Sequence, residues 1–73
     1  MNIDKIALKN EIETIIKDKT LSYLSYYIDD KRSELGWYFD KFINEIFDVK
    51  IYNLYNPMDA AYKLMFEHII KPK

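Results

Sequence analysis

Only one glycine and two prolines interrupt the 73 residues of this chain, and this scarcity of turn-forming residues limits its fold more than any other feature. Tight β-hairpins favour glycine at their turns, so one glycine and two prolines leave few positions for hairpins. The apolar residues recur at spacings of three and four, which is the period of an amphipathic helix rather than of a strand. The sequence therefore predicts an all-α fold.

The predicted architecture is a small bundle of three to four helices in a single domain, residues 1–73. The helices are expected at about 4–17, 20–35, 37–48 and 57–70, with an irregular connector or short strand at 49–56. A chain of this length buries only roughly 60% of its unfolded surface, so it has no apolar area for a second core. Because the chain has no cysteine, the fold must rest on packing alone.

The first two helices place their apolar stripes on nearly opposite sides if they are drawn as one continuous helix. Two interpretations follow. A turn at 17–20 is preferred because Thr20 can serve as an N-cap, whereas one long helix with two different partners would suggest a dimer. The stripes consist of Leu8, Ile12, Ile15 and Ile16 in the first helix and of Leu21, Leu24, Ile28 and Leu35 in the second.

Two further signals mark helix ends. Gly36 is expected as a left-handed C-cap after the second helix. Asn56 as N-cap, Pro57 at the first helical position and Asp59 in the first turn predict the start of the last helix.

The residues that most enzymes need are scarce in this chain. It has one histidine and no cysteine, and it lacks a glycine-rich phosphate loop. His68 is the sole candidate base, and its place on the apolar side of the last helix favours a structural role. Asp30 and Glu34 are four residues apart, yet they lack a histidine partner, which favours a solvated charged face. We expect no enzymatic activity, metal or cofactor.

The charge balance does not select a polyanionic partner. Eleven basic and twelve acidic residues give a net charge of −1, which provides no field for steering phosphates. The junction at Gly36 is compatible with a helix-turn-helix, but the outer face of the third helix is expected to carry three carboxylates against one lysine. These residues are Asp40, Glu45, Asp48 and Lys41. Nucleic-acid binding is therefore an alternative rather than the first expectation.

The N-terminal segment carries a charge every few residues, which is typical of neither a secretion signal nor a membrane span. We expect a cytoplasmic protein that does not enter a membrane. The abundance of Ile, Lys, Asn and Tyr is typical of AT-rich genes and suggests a low-GC bacterium or one of its phages or mobile elements.

The most suggestive feature is a run of tyrosines in the second helix. A helical wheel places Tyr23 and Tyr26 across from the leucine stripe and beside the two carboxylates, with Tyr27 on the border. One interpretation is that these rings cover apolar neighbours while their hydroxyls stay wet. The other is a binding surface, because tyrosine and tryptophan dominate protein interfaces. The residues of the predicted interface are Tyr23, Tyr26, Tyr27, Asp30, Glu34, Trp37, Tyr38, Tyr52 and Tyr55.

Trp37 has two interpretations of its own: it either plugs the end of the bundle or extends this surface. The functional hypothesis is a small non-enzymatic module, a regulator or inhibitor, that binds another protein in a fixed ratio. The alternatives are a nucleic-acid-binding transcriptional regulator and a self-assembling structural subunit, with a homodimer as one possible state.

Overall fold

The computed structural model describes residues 4–18 and 20–70, the last two of them by their backbone alone. This part of the chain contains four helices and no strand, so the predicted all-α bundle is confirmed. The helices are α1 (Lys5–Asp18), α2 (Leu21–Leu35), α3 (Trp37–Phe47) and α4 (Pro57–Ile70). Each boundary lies within one residue of the predicted one.

Three side chains cap the helix N-termini and explain where the helices begin. The Asp4 carboxylate accepts a hydrogen bond from the Ala7 amide at 3.1 Å, and the Thr20 hydroxyl accepts one from the Tyr23 amide at 3.2 Å. Asn56 accepts one from the Met58 amide at 2.8 Å. Such caps satisfy amides that have no partner inside the helix. Because Thr20 caps α2, α1 and α2 are separate helices; Lys19, in the expected turn, lies outside the described residues.

Two residues with positive φ end the middle helices. Gly36 has φ 65° and ψ −149°, and its amide donates to the Arg32 carbonyl at 2.8 Å. The positive φ was expected, but this ψ is not that of a left-handed helix, so the predicted cap geometry is wrong in that respect. Asp48 does adopt the left-handed conformation, with φ 57° and ψ 40°, and it ends α3 one residue earlier than predicted.

α2 is the central helix, because it packs against each of the other three, and its most extensive contact is with α4. Small buried residues, Ser25 on α2 and Ala60 and Ala61 on α4, allow helix backbones to approach closely. The stripes of α1 and α2 enter one core, so an exchange between chains is not needed to bury them. The core consists of Leu8, Ile12, Ile15, Leu24, Ile28, Leu35, Phe39, Ile43, Val49, Ile51, Ala60, Ala61 and Leu64.

The segment 49–56 is an irregular connector, as expected, but it does more than join α3 to α4. Val49 and Ile51 are buried in the core, and the Leu54 amide donates to the Ile51 carbonyl at 3.2 Å. The helical periodicity gave no reason to place Ile51 in the core, because the segment follows no helical stripe.

An ion pair between α2 and α3 overturns one expectation about the charged residues. Asp40 is buried rather than on the outer face of α3, and its carboxylate accepts from the Arg32 guanidinium at 2.9 and 3.1 Å. The same guanidinium donates to the carbonyls of Ile51 at 3.0 Å and Tyr55 at 3.3 Å. A planar fork with five donors suits this set of acceptors. Arg32 therefore joins α2, α3 and the connector.

Candidate protein-binding surface

The tyrosines of α2 divide as the helical wheel predicted. Tyr23 is 51% exposed and Tyr26 is 76% exposed, whereas Tyr27 is half-buried. The leucines of α2 point into the core, and Tyr23 and Tyr26 each lie two positions after one of them, which at 3.6 residues per turn places both rings on the solvent side of the helix. Rings with this exposure remain available to another molecule.

Tyr27 forms the inner border of this surface. Its hydroxyl donates to Glu11 Oε1 at 2.5 Å, and its ring lies edge-on to Phe39 with centroids 6.4 Å apart. Burial, together with the adjacent Glu11 carboxylate, raises the pKa of the Tyr27 phenol above its ordinary value. Tyr27 therefore keeps its proton at neutral pH and joins α1 to α2 through that proton.

A groove between α1 and α2 is lined by the rings of Tyr23 and Tyr27. Its volume is about 400 Å³, and it is open to solvent. The lining combines polar and apolar groups: Asn10, Glu11, Thr14, Ile15, Tyr23 and Tyr27. Two of the predicted interface residues, Tyr23 and Tyr27, thus line one groove. An apolar group of a bound partner would be partly shielded from water there.

The carboxylates beside the tyrosines are exposed, as predicted. Glu34 pairs with Lys31 at 3.4 Å, and Lys31 also lies 5.5 Å from the centroid of the Tyr27 ring. Exposed pairs of this kind contribute little stability. Since Arg32 is turned inward, Asp30 and Glu34 give this edge of α2 an acidic character that Lys31 only partly offsets.

Trp37 and Tyr38 form a second aromatic surface with Phe42 along α3. The rings of Trp37 and Tyr38 stack with centroids 4.6 Å apart, and Tyr38 and Phe42 follow at 6.3 Å. Trp37 is 63% exposed, so it does not plug the end of the bundle. The ammonium of Lys41 lies 5.8 Å from the Trp37 ring, a cation–π contact.

Lys5 borders the same surface on the α1 side. It pairs with Glu45 at 2.6 Å and lies 5.0 Å from the Phe42 ring. The hydrogen bond from Lys5 lowers the pKa of the Glu45 carboxyl. Of the three carboxylates expected on the outer face of α3, Asp40 is therefore buried and Glu45 is paired.

The two tyrosines of the connector are exposed. Tyr52 and Tyr55 both reach solvent, and the Tyr55 carbonyl is held by Arg32. Within residues 4–18 and 20–70, no described contact joins either ring to Tyr26. The predicted interface residues thus lie on three elements: α2, α3 and the connector.

Sequence reasoning missed an apolar stripe on α4. Met58, Tyr62 and Phe66 are exposed, and the rings of Tyr62 and Phe66 stack with centroids 6.2 Å apart. Their spacing of four residues was the available signal, because it defines a helical stripe separate from the one that contains Ala61 and Leu64.

His68 is half-buried in the last turns of α4. Its ring lies edge-on to Phe47 with centroids 5.3 Å apart, and its Nε2 is 3.9 Å from a Glu13 oxygen. This neighbour from α1 could not be identified from the sequence. In the described part of the chain, no three His, Asp or Glu side chains are placed to hold a metal ion together.

Among the described helices, none has the length and apolar character needed to cross a membrane. No protein-family model matches the chain, and no curated protein or solved structure is significantly similar to it.

Proposed function

We propose that this protein is a non-enzymatic module that binds another protein in a fixed ratio through the tyrosine surface of α2. The observation that carries the proposal is the exposure of Tyr23 and Tyr26 on one side of α2, together with a groove that Tyr23 lines. Aromatic rings that fill pockets of a partner contribute most of the energy of many interfaces. Polar residues around them complete the rim of such an interface.

The charges around this surface favour a partner with a basic rim. Glu11 borders the groove, and Asp30 and Glu34 follow the tyrosines along α2. Complementary charge increases the rate of association and selects among partners more than it raises affinity. We propose that the protein acts as a small cytoplasmic regulator or inhibitor in this way.

The test is affinity capture from a low-GC bacterial lysate with the wild-type protein and with a variant that combines Tyr23→Ala and Tyr26→Ala. Losing two rings from the centre of an interface should reduce affinity at least about tenfold. The captured partner should therefore be retained by the wild type and lost by the variant. Equal retention by both proteins would contradict the proposal.

A matched control uses exposed aromatic residues on another helix. A variant with Tyr62→Ala and Phe66→Ala removes a comparable ring area from α4 and should retain the α2 partner. Thermal unfolding of both variants is measured first, so that a loss of binding is not caused by unfolding.

Nucleic-acid binding is the second candidate, and one observation favours it. Asp40 is buried and Glu45 is paired with Lys5, so α3 exposes less negative charge beside Trp37 than its sequence suggests. Stacking rings with nearby lysines suit single-stranded nucleic acids. Treating the lysate with nuclease separates the candidates. Material lost after this treatment, and steep weakening of binding with salt, would support this second function.

A further inference from the structure

The groove between α1 and α2 contains a carboxylate that is held in place and is not neutralised. Glu11 accepts the Tyr27 hydroxyl through Oε1 at 2.5 Å, and this bond fixes the direction of its side chain. Within the described residues, Glu11 forms no ion pair, and its second oxygen accepts no hydrogen bond. Oε2 is therefore available to a donor from another molecule.

Aromatic and aliphatic groups lie beside this carboxylate. Tyr23, Tyr27 and Ile15 line the groove together with Glu11. Its volume of about 400 Å³ is within the range of sites that receive small organic groups. A side chain with an apolar stem and a cationic end matches such a lining, because the stem can lie along the rings while the charge meets the carboxylate.

The α1 side of the groove is acidic along the helix. Asp4 and Asp18 lie seven residues before and after Glu11, and seven residues are nearly two turns, so the three carboxylates share one side of α1. Among the lysines of α1, Lys17 comes nearest to this side, because it follows Asn10 by seven residues at the outer edge of the groove. The α1 side therefore keeps a negative charge.

The α2 side adds two further carboxylates. Asp30 and Glu34 follow Tyr27 by three and seven residues and lie on its side of the helix. Burial and Glu11 raise the pKa of Tyr27 most, and the charges of Glu34 and Asp30 add to the rise, so both carboxylates act electrostatically on a residue that lines the groove. Lys31 pairs with Glu34 and offsets one of these charges. The whole groove is therefore complementary to a cation.

We propose that this groove receives an arginine side chain of the partner protein, with its guanidinium at Glu11 and its stem along Tyr23. This inference rests on the proposed function and names the group that the partner presents. A guanidinium can donate two hydrogen bonds to a carboxylate while its plane stacks on an aromatic ring, whereas a lysine ammonium is a compact, strongly hydrated charge. Arginine is also enriched in protein interfaces, where lysine is depleted.

The first test uses a minimal probe, acetyl-Ala-Arg-Ala-amide, whose only charge is the guanidinium. Backbone amide shifts are followed by NMR at about 0.15 M salt, where distant charges are screened. We expect a dissociation constant of about 1–10 mM, with the largest shifts at residues 10–15 and 23–27. A citrulline probe, neutral and of nearly the same shape, should bind at least about tenfold more weakly, and a lysine probe at least about threefold more weakly.

The second test removes the carboxylate from the groove. Glu11→Gln keeps an acceptor for the Tyr27 hydroxyl but loses the charge, and it should weaken binding of the arginine probe at least about fivefold. Glu13→Gln is the matched control, because it makes the same change on the opposite side of α1, near His68. It should bind the probe within about twofold of the wild type. Thermal unfolding of both variants is measured first.

Capture from the lysate separates this inference from the proposed function. The partner should be retained by Glu13→Gln and lost by Glu11→Gln, as it is by the double tyrosine variant. A partner that is lost by the tyrosine variant but retained equally by Glu11→Gln would support the proposed function and overturn the arginine inference.

The probe experiments can overturn the inference without any partner. Equal binding of the citrulline or lysine probe would show that the groove does not select a guanidinium. Equal weakening by Glu11→Gln and Glu13→Gln would assign the effect to net charge. An absence of shifts at the groove with the arginine probe at about 50 mM, well above the expected dissociation constant, would exclude the site.

Discussion

Gly36 holds a backbone conformation that is available to glycine and strained for other L-residues. Its φ of 65° and ψ of −149° lie near a region that is essentially restricted to glycine. A β-carbon added there would meet nothing within 4 Å, so the constraint comes from the backbone and not from crowding. We expect Gly36→Ala to lower the free energy of unfolding by about 1–3 kcal/mol, measured by urea denaturation.

A D-alanine in place of Gly36 provides the matched control, because a chain of this length can be made by chemical synthesis. The conformation of Gly36 is the mirror image of polyproline II, which a D-residue adopts without strain. The D-alanine variant should therefore be more stable than the wild type by about 0.4–1 kcal/mol, since the added methyl group restricts the unfolded chain. Equal effects of the two enantiomers would show that backbone strain is not the cause.

The stabilisation that Tyr27 provides is expected to decrease at alkaline pH. Burial and the Glu11 carboxylate raise the pKa of Tyr27 in the folded state, so the folded protein holds this proton more tightly than the unfolded chain. The resulting stability is complete below the ordinary value of about 10 and is lost as pH rises through the folded value. We expect the stability advantage of the wild type over Tyr27→Phe to shrink between about pH 9 and about pH 11.

The control for this prediction is Tyr26→Phe, which removes an exposed hydroxyl from the same helix. Its stability difference from the wild type should stay constant over the same pH range, as measured by urea unfolding at each pH. A Tyr27→Phe difference that is equally constant would show that the bond to Glu11 does not couple to protonation.

The connector depends on Arg32 for its attachment to the bundle. Asp40 and two connector carbonyls, those of Ile51 and Tyr55, share one guanidinium. Removing one partner of a buried ion pair typically costs about 3–5 kcal/mol, because the other charge is left without compensation. We expect Asp40→Ala to reduce stability by about this amount and Arg32→Lys to reduce it by at least about 2 kcal/mol, because an ammonium cannot reproduce the fork.

Hydrogen exchange can show which part of the structure Arg32→Lys destabilises. The Leu54 amide, which donates to the Ile51 carbonyl, should lose protection in Arg32→Lys to a greater extent than amides within α1. Glu34→Ala, which breaks the exposed pair with Lys31, should change stability by less than about 1 kcal/mol. An Arg32→Lys variant as stable as the wild type would show that Arg32 does not attach the connector to the bundle.

The helices could be predicted from the sequence because their signals are local. Thr20, Gly36 and Asn56 each act within one turn, and an apolar period of 3.6 residues is visible within a single segment. Arg32 and Asp40 join different helices, so neither was identified from its own helical wheel alone. One sign was available: Arg32 follows Ile28 by four residues, inside the apolar stripe of α2, where a charge requires a partner.

The binding surface, like the helices, could be predicted only where the signal lies within one helix. The exposure of Tyr23 and Tyr26 followed from one helix, and the structure places both rings as expected. Whether Trp37 fills the end of the bundle depends on the packing of other helices, and a helical wheel contains no such information. The stripe on α4 could have been noticed from its spacing, but only knowledge of the core shows that it is left uncovered.

Taken as a whole, the molecule divides its aromatic residues between one core and an outer surface. Phe39 is fully buried, whereas Tyr26 and Tyr62 are mostly exposed on helices that pack against each other. Removing a buried phenylalanine costs about 3–5 kcal/mol, and surface substitutions usually cost no more than about 0.5 kcal/mol. Phe39→Ala should therefore unfold at a much lower urea concentration than Tyr26→Ala or Tyr62→Ala. Phe39→Leu serves as a milder core variant. Comparable losses of stability at all three positions would mean that the outer rings stabilise the fold, and the proposed α2 surface would then lose its main support.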